Sequence, residues 1–127
     1  MLALMGRGRV ATLEQCTTPL MAPVLSDEEA ATIAHGLKAV ADPVRIKILH
    51  RLASAAPHGV CVCDLVEPLG LTQPTVSHHL RVLLDAGLVH RRQQGTFSYY
   101  ALRESALDHL ATLLASPSRD GAARRGS

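Results

Sequence analysis

A mainly helical domain carrying one β-hairpin follows from three features of this 127-residue chain. Hydrophobic residues make up 47% of it and aromatics only 2%, so the core must be built of Leu, Val, Ile and Ala. Such aliphatic cores favour helices over sandwiches and barrels. Apolar residues recur at helical spacing from about residue 30 to residue 86, and the pattern then shortens to that of strands. The length suffices for one domain with a modest core and not for two.

Residues 1–25 contain Gly6, Gly8, Pro19 and Pro23 and hold no sustained period, which predicts an extended arm carrying Cys16. Ser26-Asp27-Glu28-Glu29 is a capping box, in which the Ser26 hydroxyl accepts from the Glu29 amide while Glu29 reaches back. Behind it Ala30, Ile33, Ala34, Leu37 and Ala41 are the expected buried stripe of a first helix. Asp42-Pro43 ends that helix and starts the next, with Asp42 as N-cap and Pro43 where a missing N–H costs nothing. Ile46, Leu49, Leu52 and Ala53 are the expected stripe of the second helix.

After the break at residues 55–59, a short third helix is expected from about Cys61 to Leu69, with Gly70 closing it. Thr72 then caps a fourth helix, Gln73 to about Ala86, whose core face is Val76, Leu80, Leu83 and Leu84. Two strand-like runs, 88–93 and 96–101, flank Gln94-Gly95 as a hairpin with glycine at its turn. Glu104 to Ala115 forms a last helix with Leu107, Leu110, Leu113 and Leu114 on one side, and residues 116–127 read as a disordered tail. Residues 26–115 therefore describe a winged helix–turn–helix domain of about five helices.

The formal charge of +2 permits a nucleic-acid partner without arguing for one, so the placement of charge must decide. On the fourth helix, the face opposite the apolar stripe carries Gln73, Thr75, Ser77, His78 and Arg81, groups suited to base edges and phosphates. Arg91, Arg92, Gln93 and Gln94 cluster at the hairpin tip, as a wing tracking the DNA backbone or minor groove requires. Each piece alone is only a solvated surface. In sequence they indicate double-stranded DNA. One such domain reaches one half-site, so a two-fold operator needs a homodimer with recognition helices about 34 Å apart. The apolar faces of the first and last helices are the expected dimer surface.

Three cysteines are an odd number and argue against a closed disulfide framework. Arg7 and Arg9 follow a very short apolar run, the reverse of a secretory signal, and no stretch approaches the ~18 apolar residues of a membrane span. A soluble cytoplasmic protein with reduced thiols and no membrane partner is expected. Cys61 and Cys63 stand just ahead of the recognition helix, where helix-terminal amides would lower a thiol pKa and favour the thiolate that binds soft ions. Free cysteine more often packs as a small hydrophobe. For Cys16, in an arm with no core to join, that reading is poor. Residues i and i+2 on a helix point roughly 200° apart and cannot share an ion, so the first turn of the third helix is either non-helical or must unwind.

The run Leu37-Lys-Ala-Val-Ala-Asp-Pro-Val-Arg-Ile-Lys-Ile-Leu49, with Cys61-Val-Cys-Asp-Leu65 and Leu71-Thr-Gln-Pro-Thr-Val-Ser-His-His-Leu-Arg-Val-Leu83, resembles the arsenic-repressor branch of the ArsR/SmtB winged-helix repressors. Asp85-Ala-Gly-Leu-Val89 and the hairpin to Tyr99-Tyr100 continue the likeness, which covers about residues 30–114. The resemblance implies a homodimer that binds its own operator and releases it when As(III) or Sb(III) binds as inducer. The family motif commonly has a third cysteine three residues after the second, and here that position is Val66. Some relatives recruit N-terminal thiols across the dimer, which points to Cys16 of one protomer joining Cys61 and Cys63 of the other. Zinc-sensing relatives place Asp and His ligands along the last helix. Here Glu104, Asp108 and His109 stand there without a second His pair, so solvated side chains are the better reading.

Two other inputs fit the same DNA module: Cd(II) or Pb(II) at the same thiols, and thiol oxidation. An enzyme is not expected, because neither an oxyanion loop around a nucleophilic cysteine nor a Cys-x-x-Cys pair is present. No catalytic cofactor follows. A pure protein-interaction module is opposed by the basic wing and the polar fourth helix.

Overall fold

The computed structural model describes Leu13 and residues 16–115. Most of the predicted arm and all of the predicted tail at 116–127 lie outside the described residues. Five helices and a small antiparallel sheet make up the rest. Helix α1 spans Asp27–Val40, α2 Pro43–Ser54, α3 Cys63–Leu69, α4 Gln73–Asp85 and α5 Glu104–Leu114. Strands β1 (Val60–Cys61), β2 (Val89–Gln94) and β3 (Phe97–Leu102) pair in the order β1-β3-β2. This is the winged helix–turn–helix architecture, with β2 and β3 as the wing.

The local signals operate as expected. Ser26 and Glu29 form both halves of the capping box, at 3.0 and 2.8 Å. Asp42 Oδ1 accepts from the amides of Val44 and Arg45, with Pro43 opening α2. Gly70, at φ +67°, closes α3 by donating to the carbonyls of Val66 and Glu67, and Thr72 caps α4 by accepting from the Thr75 amide. The wing turn is one residue later than expected. Gln94 pairs with Phe97, so Gly95 and Thr96 form the two-residue loop, and Gly95 supplies the positive φ of 63°.

Helix α4 buries Val76, Leu80 and Leu83 as expected, and Leu84 is half-buried. Two other stripes are rotated. On α1, Ile33 is buried with Thr32, Gly36 and Ala39, while Ala30, Ala34, Leu37 and Ala41 are exposed. On α2 the buried residues are Ile48, Leu49 and Leu52, and Ile46 is 52% exposed, with Ala53 also outside. The cause is tertiary: α1 is packed against α2, α4 and α5 together, and Leu13 covers Gly36 so closely that an added Cβ there would meet its side chain at 2.8 Å. On α5, Ala106, Leu110 and Leu113 are buried, Leu107 is half-buried and Leu114 is exposed.

The expectation that the Cys16 segment has no core to join is overturned. Cys16 is 5% exposed and belongs, with Leu13, to the single apolar cluster shared by α1, α2, α4 and α5. Hydrogen bonds from the Leu20 amide to the Leu113 carbonyl and between Thr18 and Glu29 fasten this segment to α5 and α1.

Candidate nucleic-acid interface and thiol site

The third helix begins two residues later than the sequence predicts, because a strand precedes it. Cys61 is extended and pairs with Tyr99, the Val62 amide donates to the Ser98 carbonyl at 3.3 Å, and the backbone takes helical angles at Val62 to enter the helix at Cys63. The Cys-x-Cys segment is therefore a strand-to-helix corner, the non-helical branch of the two alternatives. The corner brings the thiols together: the Cys63 amide donates to Cys61 Sγ at 3.3 Å. Cys61 is buried and Cys63 exposed.

The expected lowering of thiol pKa does not hold at Cys63. The neighbouring Cys61 sulfur, through its hydrogen bond, pushes the Cys63 thiol above its usual value of 9.0. Desolvation, charge on Cys61 and the Asp64 carboxylate, 4.0 Å from the sulfur, act in the same direction. A seven-residue helix with no side-chain cap offers little to oppose them.

Gln73, Ser77 and Arg81 of α4, one turn apart, line one wall of a cleft of about 430 Å³. Arg91 with Phe97, Ser98 and Tyr100 of the wing form the facing wall, and Cys61 and Cys63 close the end of the same cleft. Thr75 and His78 are exposed on α4 beside it, although Thr75 also accepts a hydrogen bond from the Thr72 hydroxyl at 3.0 Å. The wing residues Phe97, Ser98 and Tyr100 were not singled out by sequence reasoning. Strand alternation through β3 could have found Ser98 and Tyr100, which share a face, but not Phe97, which stands beside the turn.

The two wing arginines have different surroundings, because successive strand residues face opposite ways. Arg91 faces the cleft. Arg92 lies over the Tyr99 ring, 5.1 Å from its centroid, and donates to Gln94 Oε1 at 2.5 Å and to the His58 carbonyl at 3.2 Å. Arg92 and Gln94 thus brace the wing against the loop before β1.

Cys16 lies elsewhere, under α5, where His109 Nε2 contacts its carbonyl oxygen at 2.5 Å. That contact engages His109, which sequence reasoning had left solvated; Glu104 and Asp108 are exposed. Among the described residues, no three metal-ligating side chains come together within one chain. The pair at the β1–α3 corner fits a thiophilic ion by donor type, and a third thiolate has to come from outside this corner. No described helix is long and apolar enough to cross a membrane.

Comparison with known proteins agrees with this fold. The profile described as "Bacterial regulatory protein, arsR family" matches residues 42–91, from the N-cap of α2 into the wing. The arsenical resistance operon repressor of Bacillus subtilis is 41% identical over 73 residues, covering 58% of this chain and 68% of that protein. The protein of the same name from Staphylococcus xylosus is 38% identical over 86 residues, covering 68% and 77%. Among solved structures, the homodimeric winged helix–turn–helix DNA-binding domain Mb0332 of Mycobacterium bovis superposes with a TM-score of 0.58 at 31% identity, covering 71% of this chain and 84% of that one.

Proposed function

We propose that this chain, which belongs to the arsR family of bacterial regulatory proteins, holds operator DNA as a homodimer and releases it when As(III) or Sb(III) binds its thiols. The chain is a transcriptional regulator of that family and not an enzyme. One observation carries the finer reading: the thiol pair and the DNA-facing residues Gln73, Ser77, Arg81 and Arg91 line a single cleft. Ligand and DNA therefore act on the same few residues, and the names of the relatives supply the class of ligand.

Gln73, Thr75, Ser77, His78 and Arg81 would meet base edges and phosphates, while Arg91 reaches the backbone from the wing. Cys61 and Cys63 supply two thiolates, and the partner subunit's Cys16 supplies the third once its segment leaves its packing against α5. A trivalent metalloid, when bound, holds the thiolates at one centre. Helix α3 packs directly on α4 and the strand before it pairs with the wing, so rearranging the corner disturbs both DNA-reading elements. By linkage, a ligand that releases DNA must bind the DNA-free form more tightly.

Fluorescence anisotropy of labelled DNA from upstream of the chain's own coding sequence tests this under reducing conditions. We expect As(III) and Sb(III) to release the DNA from wild type and to fail with Cys61→Ser or Cys63→Ser. Unchanged response in Cys16→Ser removes Cys16 from the site. Release by Cd(II) or Pb(II) alone, or by oxidant alone, assigns a different signal, and absence of DNA binding sinks the reading.

A further inference from the structure

Opposite the cleft, the recognition helix α4 is fastened by a contact that the DNA reading does not use. Arg45, in the first turn of α2, has a side chain only 14% exposed. Its Nε donates to the Ala39 carbonyl at 2.6 Å and its Nη2 to the Lys38 carbonyl at 3.3 Å, both at the C-terminal end of α1. Its Nη1 lies 3.0 Å from Nδ1 of His79 on α4 and 4.0 Å from the Asp42 carboxylate. One guanidinium thus joins three helices.

A guanidinium has five donors and no acceptor and keeps its charge in proteins. The Arg45–His79 contact is therefore a hydrogen bond only when His79 Nδ1 presents a lone pair, which fixes a neutral imidazole with its proton on Nε2. A second proton would set N–H against N–H and cation against cation.

We propose that Arg45 and His79 clamp the recognition helix to the corner between α1 and α2, and that operator binding requires His79 to stay neutral. The proposal rests on the DNA-binding reading above. The titratable groups facing His79 are Asp42 and Arg45 at the start of α2 and His78 beside it on α4; α1 presents the Lys38 and Ala39 carbonyls to the same guanidinium. Burial, the largest influence, with Arg45 and His78, outweighs Asp42 and holds His79 below the usual 6.5. The neutral form is thus favoured in the fold. The clamp is complete above that pH and is lost as pH falls through the lower folded value.

Two substitutions at His79 test this, and both leave His78 in place. His79→Asn keeps an acceptor near the place of Nδ1 but takes up no proton, and His79→Leu removes the acceptor. In operator titrations at about pH 8, we expect Leu to weaken binding about fivefold and Asn to restore it to within about twofold, the scale of one hydrogen bond. Between about pH 8 and pH 5.5, wild type should lose affinity relative to the Asn variant by a similar factor. Equal acid loss in wild type and His79→Asn overturns the proposal. Nitrogen NMR of the DNA-free protein should find Nδ1 unprotonated at neutral pH, and a protonated Nδ1 overturns it equally. If wild type binds no DNA at any pH, the functional reading fails while the NMR result still decides the clamp.

Discussion

Cys63 has neighbours that oppose its own ionisation: a sulfur two residues back and a carboxylate one residue on. Holding the thiol protonated makes ligand uptake a proton release, so affinity for a thiophilic ion should rise with pH. Asp64→Asn removes one of the opposing charges. We expect it to bring the Cys63 pKa back toward 9.0 and to speed alkylation at about pH 7.5. Iodoacetamide kinetics report Cys63 selectively, since Cys16 and Cys61 are buried, and an unchanged rate removes Asp64 from the account. The two thiols were legible as candidates from the sequence, but neither their meeting at a corner nor the direction of the pKa shift was. Helix-terminal amides are read from sequence, whereas the Cys61 Sγ contact depends on a corner that β3 imposes.

Between α3 and α4 the chain turns on Gly70, whose left-handed conformation needs no side chain and whose missing Cβ would touch nothing within 4 Å. Gly70→Ala should therefore cost only the conformational penalty, about 1 kcal/mol, in denaturant unfolding. The wing permits a sharper test, because Arg91 and Arg92 are neighbours with different surroundings. Arg91→Ala should lower the salt dependence of operator binding by about one phosphate contact. Arg92→Ala should leave that slope near wild type and instead loosen the wing, read as faster amide exchange in β2 and β3. Equal slopes for the two variants would defeat the division. Sequence showed a basic hairpin tip; only the register of β2 on β3 shows which arginine faces α4.

At the scale of the molecule, α1 and α5 pack on each other yet leave Leu37 and Leu114 exposed, along with Leu20, Met21 and Val24 ahead of α1. We propose that these residues form the homodimer interface. Introducing charge with Leu37→Glu and Leu114→Glu should yield a folded monomer in sedimentation velocity and weaken operator binding more than tenfold, since one half-site remains. A dimer that persists would place the interface elsewhere. Both helices were legible from their sequence, but which of their apolar residues remain outside was not. The stripe read on α1 put Ala30, Ala34 and Leu37 inside, and packing against three helices turns them outward.

What the sequence alone determined are features settled within a few residues: the capping box, the Asp42-Pro43 start, the Gly70-Thr72 turn, the polar face of α4 and the wing. Each depends on hydrogen bonds or backbone preferences that local residue types dictate. Only the tertiary structure decided the strand at Val60–Cys61, the burial of Cys16, the sharing of one cleft by the two thiols with Gln73, Ser77, Arg81 and Arg91, and the Arg45–His79 contact. Two residues are too few to show a period. Arg45 and His79 lie 34 positions apart, and Cys16 and His109 lie 93 apart. Contacts at such separations are fixed by how helices pack, and periodicity along the chain carries no record of them.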